Sequence, residues 1–227
     1  MYVGRIMHTD LITVSPNASL VEANELVEKH GIDHLLVVND EGTLVGLLSD
    51  RDLKRYWASP ATTLSAHELS YVLEKLPVRI MMIKAIVTVS PDTTIERAAF
   101  IMQNHNINSL PVMESGKLLG IITSTDVMDV LLEAIGMQED SVRLIILVQN
   151  RIGTIAEITA LLSDNQINIE SLITWPMRRY PGVHQLVVRL SGEDGPKAVA
   201  VLNRAKFKVM TRYVEDLTPY LPEGFAS

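Results

Sequence analysis

Thr13-Val14-Ser15-Pro16 returns in the chain as Thr88-Val89-Ser90-Pro91, an offset of 88 − 13 = 75 residues. Gly42-x-Leu44-x-Gly46 returns as Gly116-x-Leu118-x-Gly120 at 120 − 46 = 74, because one residue is lost at a turn. Four further positions recur at the first offset: His30, Ile32, Leu35 and Val37 as His105, Ile107, Leu110 and Val112. This duplication predicts two similar domains that pack on each other, with function in the cleft between them.

Each repeat is predicted to fold as β-α-β-β-α. An extended segment, Leu11–Val14 or Val87–Val89, is broken by Ser-Pro and followed by a capping box, Ser19-x-x-Glu22 or Thr93-x-x-Glu96, that starts a helix. Gly31 is placed to end the first of these helices in a left-handed turn. Two strands joined by a turn then lead into a second helix. The strands are expected at Leu35–Val38 and Leu44–Leu48, and at Leu110–Met113 and Leu118–Ile122.

The two repeats are joined by a predicted linker helix. Ser65-x-x-Glu68 caps this helix, and Pro77 must end it. The expected boundaries are residues 1–60 for the first domain, 61–77 for the linker helix and 78–136 for the second domain.

Residues 140–216 follow another pattern, β-α-β-β-α-β, which is the ferredoxin-like plan. Thr154-x-x-Glu157 is predicted to cap the first helix of this segment, and Pro196 suits the start of the second. The expected inward positions of the first helix are Ile155, Ile158, Leu161 and Leu162. The predicted strands contain Arg143–Val148, then Ile167, Ile169 and Ile173, then Leu186, Val188 and Leu190, and finally Phe207–Tyr213. The fold class is therefore α/β (α+β), and a loose tail is expected over 217–227.

The composition indicates a globular protein of two or three small domains. The chain has 227 residues, of which 47% are hydrophobic. Its longest apolar runs, such as Leu144–Val148, have strand length, so no membrane span is predicted. Arg5 and His8 interrupt any export signal, which favours a cytoplasmic protein. The absence of cysteine excludes disulfides and thiolate chemistry, and the net charge of −7 argues against nucleic-acid binding.

Two equivalent segments carry a possible binding chemistry. Gly46–Asp52 and Gly120–Asp126 both run from a buried strand into a helix start, with a hydroxyl residue three positions before an aspartate. A glycine lets a ligand approach the backbone, helix amides suit phosphate oxygens, and a carboxylate can accept ribose hydroxyls. The same Ser-x-x-Asp or Thr-x-x-Asp pattern is also a capping box that needs no ligand. Its occurrence in both repeats favours a nucleotide site.

These repeats resemble a pair of CBS domains, the cystathionine-β-synthase-type regulatory module. Arg5-Ile6-Met7 and Arg79-Ile80-Met81 resemble the family's domain opening, and the Gly-x-x-Ser/Thr-x-x-Asp segments resemble its ribose and phosphate signature. The resemblance implies an adenine nucleotide (AMP, ADP or ATP) bound between the domains. By resemblance Asp52 and Asp126 would hold ribose, and Ser49, Arg51, Thr123 and Thr125 would contact ribose or phosphate. The residues expected around adenine are Ile12, Thr13, Ile32, Val87, Thr88 and Ile107.

The third segment resembles an ACT domain, a small-molecule-sensing module. Asn150–Thr154 stands where that family usually has Asp-x-x-Gly, and Gln166–Ile169 resembles its Gly-x-Asn-Ile strand entry. The resemblance implies an effector site at Asn150, Ile152, Gly153, Thr154 and Asn168. Asn150 and Gln166 depart from the pattern, which leaves open an ACT fold used only for dimerisation. Two CBS domains followed by an ACT domain resemble the bacterial acetoin-utilisation AcuB-type proteins.

A catalytic or metal site is not predicted. His30-x-x-x-His34 has helical metal-ligand spacing, but Gly31 should end the helix between the two imidazoles. We therefore expect a non-enzymatic regulator with no nucleic-acid partner and no membrane partner, in view of its charge and hydropathy. A homodimer and a metabolic enzyme target, in acetoin or acetate metabolism, are implied by resemblance. The alternative is a scaffold in which both modules serve only assembly.

Overall fold

The computed structural model describes residues 1–57, 66–137 and 140–225. The chain forms two units, Met1–Met128 and Asp129–Ser227. The first unit holds the first repeat and the second repeat as far as Met128, and the second unit begins at Asp129 and holds the ferredoxin-like segment. Within the described ranges, no helix is long and apolar enough to cross a bilayer.

The first repeat begins its helix at the predicted cap. The backbone amide of Glu22 donates to Ser19 Oγ at 3.1 Å, and helix α1 spans Leu20–His30. Gly31 adopts φ 61° and ends this helix as predicted, so His30 and His34 do not share a helical face. Strand β1 (Thr13–Val14) lies parallel to β2 (His34–Val38), which pairs antiparallel with β3 (Leu44–Ser49). Helix α2 (Asp50–Trp57) follows directly.

The second repeat has the same plan with two local differences. Its helix, α4 (Ile95–His105), is capped by Thr94, whose hydroxyl accepts from the Arg97 amide at 3.2 Å, so the predicted cap at Thr93 is wrong. Thr94 is the residue that an offset of 75 from Ser19 gives. The predicted strand Val87–Val89 is reduced to one bridge between Val89 and Val112. The other elements are α3 (Ala66–Lys75), β4 (Ser109–Glu114), β5 (Lys117–Thr123) and α5 (Ser124–Ala134). The predicted cap of α3, Ser65, lies outside the described residues.

The two repeats exchange their opening segments. Val78 is fully buried in the core of the first repeat, and its amide donates to the Ala18 carbonyl at 2.9 Å. In the matching contact, the Val3 amide donates to the carbonyl of Thr93, in the second repeat, at 2.8 Å. Each repeat therefore completes its core with the segment that precedes the other. The equivalent methionines are Met7 and Met82, at 82 − 7 = 75, and not Met7 and Met81.

The second unit has the predicted ferredoxin-like topology. Its sheet has the order β7-β8-β6-β9, with every pair antiparallel. Helices α6 and α7 cover one face through a core that includes Leu144, Ile158, Leu186 and Leu202. The elements are β6 (Ser141–Gln149), α6 (Thr154–Asp164), β7 (Ser171–Pro176), β8 (Val183–Ser191), α7 (Gly195–Arg204) and β9 (Val209–Met210).

Several expectations for this unit are wrong. Strand β7 begins at Ser171, after the predicted strand positions Ile167 and Ile169, and β9 is shorter than the predicted Phe207–Tyr213. Gly153, at φ 92°, precedes α6 without a side-chain cap, while the Thr154 hydroxyl donates to the Gln149 carbonyl at 3.1 Å. Ile155 is 43% exposed and does not face the core. The described part of the tail, up to Phe225, is packed, since Leu221 is 3% exposed and joins Leu147, Val183 and Met210 in a second apolar cluster. This cluster contains the β6 residues that alternate with those facing the helices, so the tail covers the opposite face of the sheet.

Candidate functional site

Two cavities of the first unit are each built from both repeats. The first, which we call the Asp52 site, has a volume of about 450 Å³. It combines the segment that starts α2 with the approach to β4. Its lining is Asp33, His34, Leu47, Ser49, Asp50, Arg51, Asp52, Arg55, Ile83, Asn106, Ile107, Asn108, Ser109, Thr123, Ser124 and Thr125.

The second cavity, the Asp126 site, is larger, with a volume of about 700 Å³. It combines the segment that starts α5 with the approach to β2, which is the reverse contribution of the two repeats. Its lining is Met7, His8, Thr9, Asp10, Leu11, Ile12, Gly31, Ile32, Asp33, His34, Leu36, Ile121, Thr123, Thr125 and Asp126. The sites share four of these residues as a common wall: Asp33, His34, Thr123 and Thr125.

The cavities bring together most of the side chains expected from the sequence. Of the residues predicted for the nucleotide, Ser49, Arg51, Asp52, Ile107, Thr123 and Thr125 line the Asp52 site. Ile12, Ile32, Thr123, Thr125 and Asp126 line the Asp126 site. Thr13, Val87 and Thr88 line neither site; Thr13 instead borders a shallow depression beside Leu118.

Both aspartates are held by the helix starts that precede them. The Ser49 hydroxyl donates to Asp52 Oδ2 at 2.5 Å. The Thr123 amide and hydroxyl donate to Asp126 Oδ2 at 2.7 and 2.8 Å. These capping bonds orient the carboxylates towards the cavities but engage only Oδ2. In the Asp126 site, Oδ1 faces His8 Nε2 at 2.9 Å.

The protonation of two lining groups follows from their surroundings. Burial raises the pKa of Asp126, but the hydrogen bonds from Thr123 and the contact with His8 outweigh it, and the pKa lies below the usual 3.8. Burial lowers the pKa of His34 below its usual 6.5, although the charges of Asp33 and Asp52 oppose this. At neutral pH Asp126 is therefore ionised and His34 is neutral.

The motif glycines meet methionine side chains. A Cβ at Gly120 would lie 2.6 Å from Met7 Sδ and 2.9 Å from the His8 carbonyl oxygen. A Cβ at Gly46 would collide with the side chain of Met82 in the same way. The sequence explanation for these glycines was close approach of a ligand to the backbone. In the structure, the exchanged opening segments instead pack in the space that a Cβ at these glycines would fill.

Two buried polar atoms beside the sites lack a hydrogen-bond partner among the described residues. They are His34 Nδ1 and Ser109 Oγ, at matched positions 109 − 34 = 75 residues apart. Ser109 is only 2% exposed. Buried polar groups are almost always paired, so unpaired ones at the same place in both repeats leave hydrogen-bonding capacity for a bound molecule.

Sequence reasoning missed several lining residues, of which His8, Asp33, His34 and Ser109 carry the most chemistry. The repeat offset pairs His34 with Ser109 and could have marked both. His8 has no such signal, because its equivalent is Ile83 and its position depends on the exchange of opening segments.

Over residues 1–57, 66–137 and 140–225, the His, Asp and Glu side chains form no group of three or more that could hold a metal ion.

The second unit contains a cavity of about 460 Å³ at the start of α6. Arg151 and Thr154 line it from the predicted effector loop, and Lys206 and Lys208 line it from the segment after α7. Tyr220–Glu223 of the tail close one side, where Lys208 Nζ donates to the Leu221 carbonyl at 3.1 Å. Of the other predicted effector residues, Asn150, Ile152, Gly153 and Asn168 do not line this cavity, and Ile152 is fully exposed.

Comparison with protein families identifies the modules. The CBS domain profile matches residues 3–59 and 78–133, and the ACT domain profile matches residues 142–206. CBS and ACT domains are regulatory and non-catalytic.

Individual proteins agree with this assignment over the CBS region. The CBS domain-containing protein YhcV of Bacillus subtilis is 32% identical over 120 residues, which are 53% of this chain and 78% of that protein. The uncharacterized protein MJ1404 of Methanocaldococcus jannaschii is 33% identical over 55% of this chain, but the match spans only 30% of its own length.

A solved structure has the same fold over the CBS region. The crystal structure of a candidate acetoin utilization protein (AcuB) from Vibrio cholerae superposes with a TM-score of 0.50 and 27% identity, covering 61% of this chain and 96% of that one. The chain belongs to the CBS domain-containing proteins, with a tandem CBS pair followed by a C-terminal ACT domain.

Proposed function

We propose that the CBS pair is a sensor that binds an adenine nucleotide or nucleoside at the Asp52 and Asp126 sites. The observation that carries this proposal is the matched construction of the two cavities. Each joins the Ser/Thr-x-x-Asp segment of one repeat to the strand approach of the other. Each cavity also contains an aspartate to accept ribose hydroxyls and an isoleucine, Ile107 or Ile32, to pack on a face of adenine.

Hydrogen bonding also supports a ligand at these sites. Among the described residues, neither Ser109 Oγ nor His34 Nδ1 has a hydrogen-bond partner, and burying these atoms is costly unless a ligand or water pairs with them. The alternative is a scaffold with empty sites, and the internal capping bonds of Asp52 and Asp126 favour it because they explain both motifs without a ligand.

Calorimetry with adenosine, AMP, ADP and ATP separates the two functions. Asp52→Asn and Asp126→Asn keep a capping oxygen but remove the charge that accepts ribose hydroxyls. Each should weaken one site by about 1.5–3 kcal/mol and leave the other unchanged. Asp92→Asn, outside both cavities, is the matched control. A scaffold would show neither binding nor a rise in melting temperature with any of these compounds.

The ACT domain supplies the second proposed site. Its cavity presents Arg151, Lys206 and Lys208 to a small anion, although Arg151 is paired with Glu157 at 2.6 Å. Amino acids and small organic acids should therefore be screened by thermal shift, with Lys206→Ala as the test variant and the exposed Lys197→Ala as its control. If no compound stabilises the wild type and Gly153→Ala alters the oligomeric state, the domain serves dimerisation.

The proposed assembly is a homodimer in the cytoplasm, with domain boundaries at residues 60, 77, 136 and 216. Large apolar side chains exposed on α3, α4 and α5 support self-association: Tyr71, Val72, Phe100 and Met128. Light scattering should give more than the chain mass of 25.2 kDa. Phe100→Glu with Met128→Glu should lower that mass.

A regulated enzyme of acetoin or acetate metabolism, suggested by the AcuB-type architecture, should be retained on the immobilised protein only when nucleotide is present.

A further inference from the structure

The two CBS sites differ in their electrostatic character. Three carboxylates line the Asp126 site, those of Asp10, Asp33 and Asp126, and no lysine or arginine is among its described lining residues. Its other titratable groups are His8 and His34. His34 is neutral because burial lowers its pKa. Even a protonated His8 would offset only one of the three negative charges.

The Asp52 site also has three carboxylates, but two arginine side chains offset part of their negative charge. Arg51 and Arg55 line it beside Asp33, Asp50 and Asp52, and Lys54 Nζ pairs with Asp50 at 2.6 Å. Two guanidinium groups are thus available for an anion, one of them in the motif itself. The equivalent of Arg51 in the second repeat is Thr125, at 125 − 51 = 74, which carries no charge.

This difference in charge decides which 5′ substituent of a bound nucleoside each site can accept. A nucleoside monophosphate bound through Asp126 would bring about two negative charges into a cavity that already holds three carboxylates. Repulsion between charges a few ångströms apart at a partly enclosed site weakens binding by more than tenfold for each unit charge, or about 1.4 kcal/mol. A positive group at the same place would be attracted by a similar factor.

We propose that the Asp126 site selects a nucleoside whose 5′ substituent is uncharged or positively charged, such as a sulfonium, and excludes nucleoside phosphates. This inference rests on the proposed nucleotide-sensing function. The pair would then read two different ligands, a phosphorylated one at the Asp52 site and a phosphate-free one at the Asp126 site. The shared wall of Asp33, His34, Thr123 and Thr125 places the two ligands next to each other.

The test is calorimetry on Asp52→Ala, in which the Asp126 site remains. Adenosine and S-adenosylmethionine should bind, AMP should bind at least about tenfold more weakly than adenosine, and ATP more weakly still. Equal or tighter binding of AMP or ATP would overturn the proposal while leaving nucleotide sensing intact. Failure of all four compounds to bind both this variant and the wild type would overturn nucleotide sensing itself.

Asp10→Lys provides an independent test because Asp10 lines only the Asp126 site. In the Asp52→Ala background it should strengthen AMP binding at least about tenfold, weaken S-adenosylmethionine and leave adenosine within about twofold. Asp92→Lys makes the same change in net charge outside both sites and should alter none of these affinities. If the two lysine variants behave alike, or Asp10→Lys has no effect, local charge does not select the ligand.

Discussion

His8 Nε2 lies 2.9 Å from Asp126 Oδ1, although the two residues are 118 positions apart in the chain. The contact exists because the opening segment of the first repeat packs on the second. The His8 amide donates to the Ile121 carbonyl at 2.9 Å, and the Ile121 amide returns the bond at 3.0 Å. His8 therefore occupies the oxygen of Asp126 that the helix cap leaves available for a ribose hydroxyl.

We predict that His8→Ala strengthens adenosine binding at the Asp126 site by about three- to tenfold, because the nucleoside no longer displaces a hydrogen-bonded imidazole. Calorimetry on the Asp52→Ala background measures this site while the Asp52 site is weakened. Ile83→Ala, the equivalent change in the other site, should have no effect there. Weaker binding after His8→Ala would mean that the imidazole contacts the ligand instead of competing with it.

Alanine at the two motif glycines should destabilise the protein unequally. The Gly120 Cβ would meet the His8 backbone carbonyl as well as Met7, whereas the three nearest atoms at Gly46 all belong to the flexible Met82 side chain. We expect Gly120→Ala to cost about 1–3 kcal/mol in the free energy of unfolding and Gly46→Ala to cost less. Chemical denaturation measures both. Met82→Ala should remove the steric clash that Gly46→Ala introduces. Met7→Ala should remove only part of the clash at Gly120→Ala, because the contact with the His8 carbonyl remains.

Arg51→Ala should remove the phosphate preference of the Asp52 site. A guanidinium can hold phosphate with two hydrogen bonds, so we expect AMP binding to weaken by about 1.5–3 kcal/mol while adenosine binding stays the same. Calorimetry on the Asp126→Asn background isolates this site. Lys54→Ala is the control, because Lys54 pairs with Asp50 and does not line the cavity. An unchanged ratio of AMP to adenosine affinity would show that Arg51 is only a solvated helix residue.

His34 should make the stability of the CBS pair depend on pH. Its folded pKa lies below the ordinary 6.5 because of burial, with Asp33 and Asp52 opposing and Arg51 adding to the shift. The unfolded state therefore binds more protons as the pH falls past 6.5 towards the folded pKa, and the free energy of unfolding decreases in that window. Denaturation between about pH 8 and about pH 5 should show a flatter profile for His34→Gln. His30→Gln, at an exposed position, should keep the wild-type slope.

Leu221→Ala should destabilise the ACT domain by about 2–5 kcal/mol, although it lies in the C-terminal tail. Its side chain is 3% exposed and packs against the sheet face opposite the helices. Glu223→Ala changes an exposed residue two positions away and should cost less than about 0.5 kcal/mol. Thermal unfolding and proteolysis would compare the two. Equal stability of both variants would mean that the tail does not contribute to the domain.

Most of the fold could be read from periodic and repeated features. Ser19 and Gly31 delimit α1 as expected, because a cap and a left-handed turn depend on a few neighbouring residues. The alternation of Leu186, Val188 and Leu190 correctly gave β8, whose inward side chains are fully buried. The predicted cap of α4, Thr93, lies one residue before the observed cap, Thr94. The two threonines are chemically alike, and the repeat offset of 75 from Ser19 is the sequence signal that favours Thr94.

The local chemistry of the candidate sites was already present in the sequence: the two aspartates, the hydroxyl residues that orient them, and the arginine found in only one copy. Such motifs lie within one strand-to-helix turn, so adjacent residues suffice to specify them. The tertiary structure decided which distant residues face each motif. It brought His8 to Asp126, placed His34 in both walls and left Thr13 outside, because the exchange of opening segments depends on packing between residues about 75 positions apart.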